Sequence, residues 1–408
     1  MANVLTVFHR GQLAAQFSNR ILNVSPGSAA CSGLFLAAPR RTGKSTFVRE
    51  DLCPQLERDR ALVLYVDLWE DTSINPGVVI VGAVRAELNQ HAGVIERIAR
   101  SAGMDKLNVA GFNFSVDRVG LGADVSLSAA LAALSDEVKK PIVLIIDEAQ
   151  HAITTEEGAR ALFALKAARD ELNSTKHHGL RVVATGSNRD KLAMLRAGRD
   201  QAFYGAPLVS FPHLDASYVK WFCDNADLSS SLDPIAVYGD FERAGFRPEV
   251  LGAALDALRF DFELTAENIS QKFQDAVAEQ IAIDETRTLR VIRSLTPLQS
   301  AILRVLVVRS DLFAPFEAAT MAAYQMVHDK LDGKSRVTSV EFANVQQALS
   351  ALQEKKLVWK ETRGVYALEE STTGELMRRE GLLKLVPDWS VVTDSEASDP
   401  PAQTPPLD

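Results

Sequence analysis

Two short motifs in this sequence carry residue types that suit phosphate chemistry. Residues 38–45 read Ala-Pro-Arg-Arg-Thr-Gly-Lys-Ser, and residues 141–148 read Pro-Ile-Val-Leu-Ile-Ile-Asp-Glu. The first has the glycine, lysine and hydroxyl order of a phosphate-binding loop, whose backbone N–H groups and lysine hold phosphates while the hydroxyl binds Mg²⁺. The second is an apolar strand that ends in two carboxylates. Together they predict a site for ATP and Mg²⁺, because phosphoryl chemistry needs mainly positioning, charge neutralisation and an oriented water.

Each chemical role falls on a particular side chain. We expect Lys44 to contact the β and γ phosphates, Ser45 to bind Mg²⁺, and Gly43 to let the backbone approach the phosphates. Asp147 is expected to hold the metal through water. Glu148, one residue further along the strand, should point to the opposite side of the strand tip and polarise the attacking water.

The nucleotide is expected to contact the whole loop and the start of the next helix. The first position of such a loop is usually glycine, and Ala38 places a Cβ there. Because alanine is the smallest possible change, we expect binding to survive. The expected nucleotide-binding residues are Ala38, Pro39, Arg40, Arg41, Thr42, Gly43, Lys44, Ser45 and Thr46.

Length and composition describe an ordinary protein with room for a large core. The chain has 408 residues, which suits roughly two to four domains, and a formal net charge of −9. The acidic balance argues against a nucleic-acid binder that works through bulk charge. The three cysteines are too few and too scattered for a disulfide framework or a zinc site. Apolar runs are too short to span a membrane and no export signal is visible, so we expect a cytoplasmic protein without membrane attachment.

Strand-like and helical segments alternate through the first half of the chain. A strand at 33–37 leads into the phosphate loop, and a helix is expected from Lys44 to about Leu56. This alternation predicts an α/β fold, with a mostly parallel sheet, helices on both faces, and a ligand at the C-terminal ends of the strands. Further strands are expected at 61–68, 141–147, 180–185 and 208–211, and residues 108–127 read as a β-hairpin insertion.

The second half of the chain is helical and ends in a hairpin pattern. Thr296 and Pro297 suit the start of one helix, and residues 338–341, Thr-Ser-Val-Glu, form a capping-box pattern that opens another. With the hairpin at 357–368, these helices predict a winged helix domain. The expected domains are a P-loop ATPase core at 1–212, an all-helical lid at 213–288, a winged helix domain at 289–370, and a C-terminal extension at 371–408 with a disordered acidic tail.

The motifs and their order resemble a known group of ATPases. The chain carries Pro39-Arg-Arg-Thr-Gly-Lys-Ser45, Tyr65-Val-Asp-Leu68, Asp147-Glu-Ala-Gln150 and Ala184-Thr-Gly-Ser-Asn188, with a hairpin insertion, a lid and a winged helix. It looks like the archaeal-type ATPase branch of the AAA+ and STAND P-loop NTPases, related to origin-recognition initiators. The likeness covers roughly residues 1–370. It implies a three-layer P-loop NTPase fold of the ASCE/AAA+ type.

The resemblance also implies roles for polar residues beyond the two motifs. Asn188 lies where the family has a polar residue that contacts the γ-phosphate or the water, and Ser187 or Thr185 could take this role instead. Arg196 or Arg199 would be the finger supplied to a neighbouring subunit's site, and Arg247 in the lid resembles the second sensor. The expected catalytic set is therefore Glu148, Lys44, Asn188, Arg199 and Arg247.

These features predict an ATP-hydrolysing switch that changes conformation or assembly and works as a homo-oligomer. It would act on DNA or on a protein partner through the winged helix. Lys355, Lys356 and Lys360 favour a phosphate backbone, whereas Glu354 and Glu361 favour a protein contact. The alternative is a nucleotide-gated scaffold or regulator with little turnover that contacts a protein partner. A small-molecule kinase is disfavoured by the insertion, the acidic pair and the winged helix.

Overall fold

A computed structural model describes most of the chain outside one long segment and the two termini. The described residues are 7–25, 27–38, 40–91, 126–174, 176–187, 189–196, 198, 201–228, 230–333, 340–360 and 365–387. The predicted hairpin at 108–127, apart from its last two residues, lies outside them, as does the predicted tail after residue 387. The chain divides into two compact units, Met1–Ile281 and Ala282–Asp408.

A parallel five-stranded sheet forms the centre of the first unit. Its strands lie in the order β2-β3-β4-β1-β5, and every neighbouring pair is parallel. Strand β4 therefore separates β1, which leads into the phosphate loop, from β3, which ends in the acidic pair. The strands are β1 (Leu34–Ala37), β2 (Leu62–Asp67), β3 (Ile142–Asp147), β4 (Leu180–Gly186) and β5 (Leu208–Ser210).

Helices cover both faces of this sheet, which confirms the predicted three-layer α/β fold. On one face, α1 and the helical region after the phosphate loop pack on residues of β1, β3 and β4. On the other face, α4 packs on β2, and α6 packs on β4, α4 and α5. The helices are α1 (Gly11–Leu22), α2 (Lys44–Phe47), α3 (Cys53–Arg58), α4 (Pro76–Asn89), α5 (Leu127–Val138), α6 (Glu156–Leu172) and the short α7 (Arg189–Met194).

The helical region after the phosphate loop is less regular than the sequence predicts. A wide π-helical turn at Val48–Leu52 interrupts the expected continuous helix and joins α2 to α3. Pro54 lies one residue after α3 begins, has no N–H, and cannot donate the α-helical hydrogen bond to the carbonyl of residue 50. The backbone therefore adopts the longer-range π pattern at this point.

The rest of the first unit is a helical bundle with its own apolar core. It contains α8 (Ala216–Asp224), α9 (Pro234–Arg243), α10 (Pro248–Arg259) and the start of the long α11 (Ile269–Arg293). Buried residues of all four helices form one cluster. The predicted turn at 244–248 joins α9 to α10, with Gly245 and Phe246 in the left-handed backbone region.

A short segment before α1 contacts both the sheet layer and the helical bundle. Phe8 packs on Tyr218 and Trp221 of α8, with ring centroids 5.5 and 5.7 Å away. The next two residues contact Asp51 of the π-helical turn, which is buried. His9 Nδ1 lies 2.8 Å from Asp51 Oδ1, and the backbone N–H of Arg10 donates to Asp51 Oδ2 at 2.9 Å.

The second unit combines helices with a two-stranded antiparallel hairpin. Its elements are the end of α11, α12 (Pro297–Arg309), α13 (Ala318–Asp332), α14 (Phe342–Glu354), β6 (Val358–Lys360), β7 (Tyr366–Leu368) and α15 (Ser371–Arg379). Helix α12 begins as predicted, with Thr296 in a capping box with Gln299 and Pro297 at the first helical position. Helix α14 begins later than the 338–341 pattern predicts, because Glu341 is its N-cap and residues 334–339 lie outside the described part of the chain.

The stretch after the hairpin belongs to the same apolar core. Met377 of α15 is fully buried in it, and Leu382, Leu383, Leu385 and Val386 pack against it. The Arg304 guanidinium on α12 donates to the carbonyl of Leu382. Within the described ranges, no helix is both long enough and apolar enough to cross a membrane.

Removal of the Thr296 side chain tests how much the capping box stabilises the second unit. The Thr296 hydroxyl accepts the N–H of Gln299, so Thr296→Ala should lower the free energy of unfolding by about 1 kcal/mol. Hydrogen exchange of α12 amides in the full chain measures this loss. Thr286→Ala, at an exposed position within α11, is the control, and equal losses in the two variants would contradict the capping role.

Candidate nucleotide site

The loop between β1 and α2 has the backbone shape of an anion cradle. Arg41 and Gly43 have φ values of 62° and 81°, in the left-handed region. The first helical hydrogen bond runs from the N–H of Phe47 to the carbonyl of Gly43. The N–H groups of Lys44, Ser45 and Thr46 therefore have no acceptor within the helix, and they carry the positive end of its dipole.

Ala38 fits at the position where such loops usually have glycine. Its φ lies outside the left-handed region, so the backbone there does not require glycine. Its N–H donates to the carbonyl of Gly186 at 3.1 Å, and its side chain is buried in the core. The residue that does occupy a left-handed position, apart from Gly43, is Arg41.

Lys44 is the buried centre of the site. Its side chain is 5% exposed, and its ammonium forms an ion pair with Asp147 Oδ1. The ammonium also donates to Thr185 Oγ1 at 2.9 Å and lies 3.5 Å from Glu148 Oε1. The lysine of the loop, both carboxylates of β3 and a hydroxyl of β4 thus meet at one point.

Asp147 is held in its charged form. Burial of this carboxyl by itself would raise its pKa. The charge and hydrogen bond of Lys44, with hydrogen bonds from Thr185 and Ser45, outweigh burial and lower the pKa to about 2. A permanently ionised carboxylate next to the hydroxyl of Ser45 is a suitable pair of oxygen ligands for Mg²⁺.

Glu148 does not point away from Asp147 as strand alternation predicts. Strand β3 ends at Asp147, and Glu148 has a left-handed φ of 53°, so the alternation of the strand stops one residue before it. Its Oε2 accepts hydrogen bonds from Gln150 Nε2 at 2.6 Å and from Ser187 Oγ at 2.8 Å.

The arginines of the loop are placed differently from each other. Arg41 is exposed, as expected. Arg40 was expected to face solvent or a partner, but its guanidinium lies 4.8 Å above the ring of Trp69 and its Nε donates to Ser187 Oγ at 3.4 Å. Ser187 therefore connects the phosphate loop to Glu148.

Several predicted site residues lie outside this cluster or outside the described residues. Pro39, Asn188 and Arg199 are not among the described residues. The Nε of Arg196 donates to the carbonyl of Ala206. Arg247 is the N-cap of α10, and its Nε donates to the carbonyl of Ala244 at 2.9 Å. Thr42 is buried and Thr46 is exposed.

The structure adds site residues that the sequence analysis did not select. Tyr65 of β2 donates to Asp147 Oδ2 at 3.1 Å, and Arg49 donates to the Tyr65 hydroxyl at 2.9 Å. Gln150, fully buried, contacts Glu148. The available signal was position: Arg49 follows Ser45 by about one helical turn, and Tyr65 precedes the end of a strand by two residues.

Fold and site together define the class. A parallel sheet in the order β2-β3-β4-β1-β5, with a phosphate loop after β1 and an acidic pair at the end of β3, is the α/β P-loop NTPase fold of the AAA+ type.

Solved structures share this fold. The Aeropyrum pernix ORC2 protein in its ADP form is similar over 98% of this chain and 98% of its own, with 14% identity and a TM-score of 0.50. The Walker-type ATPase paby2304 of Pyrococcus abyssi is similar over 91% of this chain and 96% of its own, with 17% identity and a TM-score of 0.45. No family model matches the chain, and no curated protein matches it. The likeness to ORC2 concerns the fold, which agrees with the resemblance seen in the sequence.

The lowered pKa of Asp147 predicts how its contribution to stability depends on pH. Its pKa falls from the ordinary 3.8 to about 2 in the folded chain. A lowered carboxyl pKa contributes ~2 kcal/mol at neutral pH, and this contribution is lost as pH falls from about 4 towards 2. Asp147→Asn should therefore destabilise the protein at pH 6 but progressively less as pH approaches about 3.

Urea unfolding at a series of pH values measures this effect. The control is Asp256→Asn, because Asp256 is 70% exposed. A loss of stability in Asp147→Asn that stayed constant across the pH range would show that the Asp147 carboxyl has an ordinary pKa in the folded chain.

Proposed function

We propose that this protein binds ATP with Mg²⁺, hydrolyses it to ADP and phosphate, and uses the cycle to switch conformation or assembly. One observation carries the proposal. A buried lysine, two carboxylates and a threonine hydroxyl converge beneath a left-handed loop that leads into a helix N-terminus. Each part matches a requirement of phosphoryl transfer: anion binding, a metal ligand and a base.

The phosphates would be held mainly by the loop backbone and by Lys44. The N–H groups of residues 44–46 supply donors without helical acceptors, and the helix dipole favours an anion there. A Cβ built on Gly43 would meet Leu214 Cδ1 at 3.6 Å, and the positive φ of Gly43 favours glycine independently. The Lys44 ammonium would exchange part of its contact with Asp147 for the β and γ phosphates.

Ser45 and Asp147 would hold the metal. Their oxygens are the hard ligands that Mg²⁺ prefers, and the low pKa of Asp147 keeps it deprotonated. When bound, Mg²⁺ would neutralise charge on the phosphates. Lys44 would supply the second positive charge next to the transferred phosphoryl group.

Glu148 would orient the attacking water. In this step the water oxygen bonds to the γ-phosphorus, the bond from phosphorus to the β–γ bridging oxygen breaks, and ADP leaves with that electron pair. The water proton passes to Glu148 or to the released phosphate. Thr185, bonded to Lys44 and Asp147, and Ser187, bonded to Glu148, are placed as the polar residues of β4 that respond to the γ-phosphate. Asn188 remains a proposed member of this group.

Two substitutions separate nucleotide binding from turnover. Lys44→Ala should abolish detectable ATP binding in calorimetry, because the buried carboxylates would then face the phosphates without a cation. Glu148→Gln should retain binding but lower phosphate release by about 10²-fold or more, because the base is lost.

Matched exposed residues provide the controls for this pair. Lys220→Ala and Glu156→Gln alter side chains that are 68% and 79% exposed, and both should behave as wild type. ATP binding by Lys44→Ala with wild-type affinity would refute the proposed site.

A nucleotide-gated scaffold is the second candidate, and one contact favours it. Glu148 Oε2 accepts two hydrogen bonds, from Gln150 and Ser187, so its carboxylate is already engaged in this structure. If this engagement persists when ATP is bound, turnover stays low. Equal phosphate release by wild type and Glu148→Gln, with binding lost in Lys44→Ala, would support the scaffold.

We also propose that the second unit contacts the partner, either DNA or protein. Helix α14 exposes Asn344, Gln346 and Gln347, and its sequence contains no Lys or Arg. Because salt-sensitive DNA affinity grows with the number of phosphates neutralised, α14 alone offers little of it. Lys355 and Lys360, next to the hairpin strands, provide the nearby positive charge.

Assembly is proposed to complete the site through an arginine of a neighbouring copy. Arg199 and Arg196 are the candidates, and Arg247 is proposed to act from the lid of the same copy. A finger in trans requires contact between copies, so phosphate release per molecule should rise with protein concentration until assembly is complete. Measuring the rate over a dilution series alongside the molecular mass tests this. Full activity of a sample that stays monomeric at every dilution would refute it.

A further inference from the structure

Tyr65, Arg49 and Asp67 form a side-chain network next to the proposed metal ligand Asp147. The Tyr65 hydroxyl donates to Asp147 Oδ2 at 3.1 Å, and Arg49 Nε donates to the Tyr65 hydroxyl at 2.9 Å. The Arg49 guanidinium lies 5.0 Å above the Tyr65 ring, and it forms an ion pair with Asp67 at 2.7 Å.

The chemistry of these groups fixes the direction of the hydrogen bonds. A guanidinium can only donate, so the Tyr65 oxygen must accept from Arg49. The single hydroxyl proton of Tyr65 is then available for the carboxylate, which can only accept. Burial and the charge of Asp147 raise the pKa of Tyr65, so this proton stays on the tyrosine across the physiological range.

The two oxygens of Asp147 have different partners. Lys44, Thr185 and the N–H of Glu148 all donate to Oδ1. Tyr65 donates to Oδ2 from the neighbouring strand. Tyr65 is paired with Ile145 and Asp67 with Asp147 in the β2–β3 register, so the sheet itself holds the tyrosine beside this carboxylate.

We propose that Tyr65, oriented by Arg49, is a positioning residue that fixes the Asp147 carboxylate and thereby sets the magnesium affinity of the nucleotide site. This inference rests on the proposed ATP site. A ligand whose orientation is already fixed by a neighbouring hydrogen bond loses less freedom when the metal binds, and removing such a neighbour typically weakens metal binding.

The test measures metal dependence of binding rather than activity. A non-hydrolysable ATP analogue is titrated calorimetrically into the full chain, once with Mg²⁺ and once with EDTA, and the ratio of the two affinities is compared between variants. In Tyr65→Phe this ratio should fall about tenfold or more, while the affinity in EDTA stays within about twofold of wild type.

Arg49 variants test the direction of the hydrogen bonds. Arg49→Lys keeps a cation that only donates, whereas Arg49→Gln introduces an oxygen that can accept the tyrosine proton. Arg49→Gln should therefore lower the magnesium ratio more than Arg49→Lys does. A larger loss in Arg49→Lys would overturn the proposed direction.

Tyr324→Phe is the matched control for the loss of a buried tyrosine hydroxyl. Tyr324 is fully buried in the second unit, and its hydroxyl has no hydrogen-bond partner among the described residues. This variant should leave the magnesium ratio unchanged. An unchanged ratio in Tyr65→Phe, or an equal loss with and without Mg²⁺, would overturn the inference.

A second measurement uses the protein without nucleotide. Tyr65→Phe should lower the melting temperature, and the shift should be less than half as large in an Asp147→Ala background, where the acceptor is gone. Equal shifts in both backgrounds would refute the contact itself. If wild type bound no nucleotide, both proposals would fail, whereas nucleotide binding with an unaltered magnesium ratio in Tyr65→Phe overturns this one alone.

Discussion

The ion pair between Lys44 and Asp147 is the interaction on which the rest of the site depends. Both side chains are almost completely buried, and a buried charge without a partner would cost several kcal/mol. Such a pair seldom stabilises a fold more than apolar residues of similar size would. Its value here is chemical, because it keeps an ammonium in a protein interior at a point where a phosphate can replace the carboxylate as its partner.

The surrounding structure can be understood as support for this pair. The parallel sheet brings the loop after β1 and the end of β3 to the same edge, although β4 lies between the two strands. Strand β4 fills that gap with Thr185, whose hydroxyl contacts both charged groups. The site is therefore built from three neighbouring strand ends, and its polar atoms satisfy one another before any ligand arrives.

Sequence predicted the strands and the main site residues well, for identifiable reasons. Apolar runs such as 142–146 have few alternatives to a buried strand, and the two phosphate motifs have a fixed spacing of functional groups. Short-range patterns failed where distant contacts or backbone exceptions decide. The left-handed backbone of Glu148 breaks strand alternation, and the contact between Tyr65 and Asp147 depends on strand pairing across 82 residues. Helix α14 begins after a segment that its capping pattern was expected to include.

The contacts of residues 8–10 have a consequence for mechanics. These residues hold the aromatic face of α8 with Phe8 and the buried Asp51, on the helical region that follows the phosphate loop, with His9 and Arg10. A rotation of the bundle must therefore pull on the same peptide that anchors this region, or else break its grip on Asp51. The segment acts as a tether, so tension applied at one end of it is transmitted to the floor of the cradle.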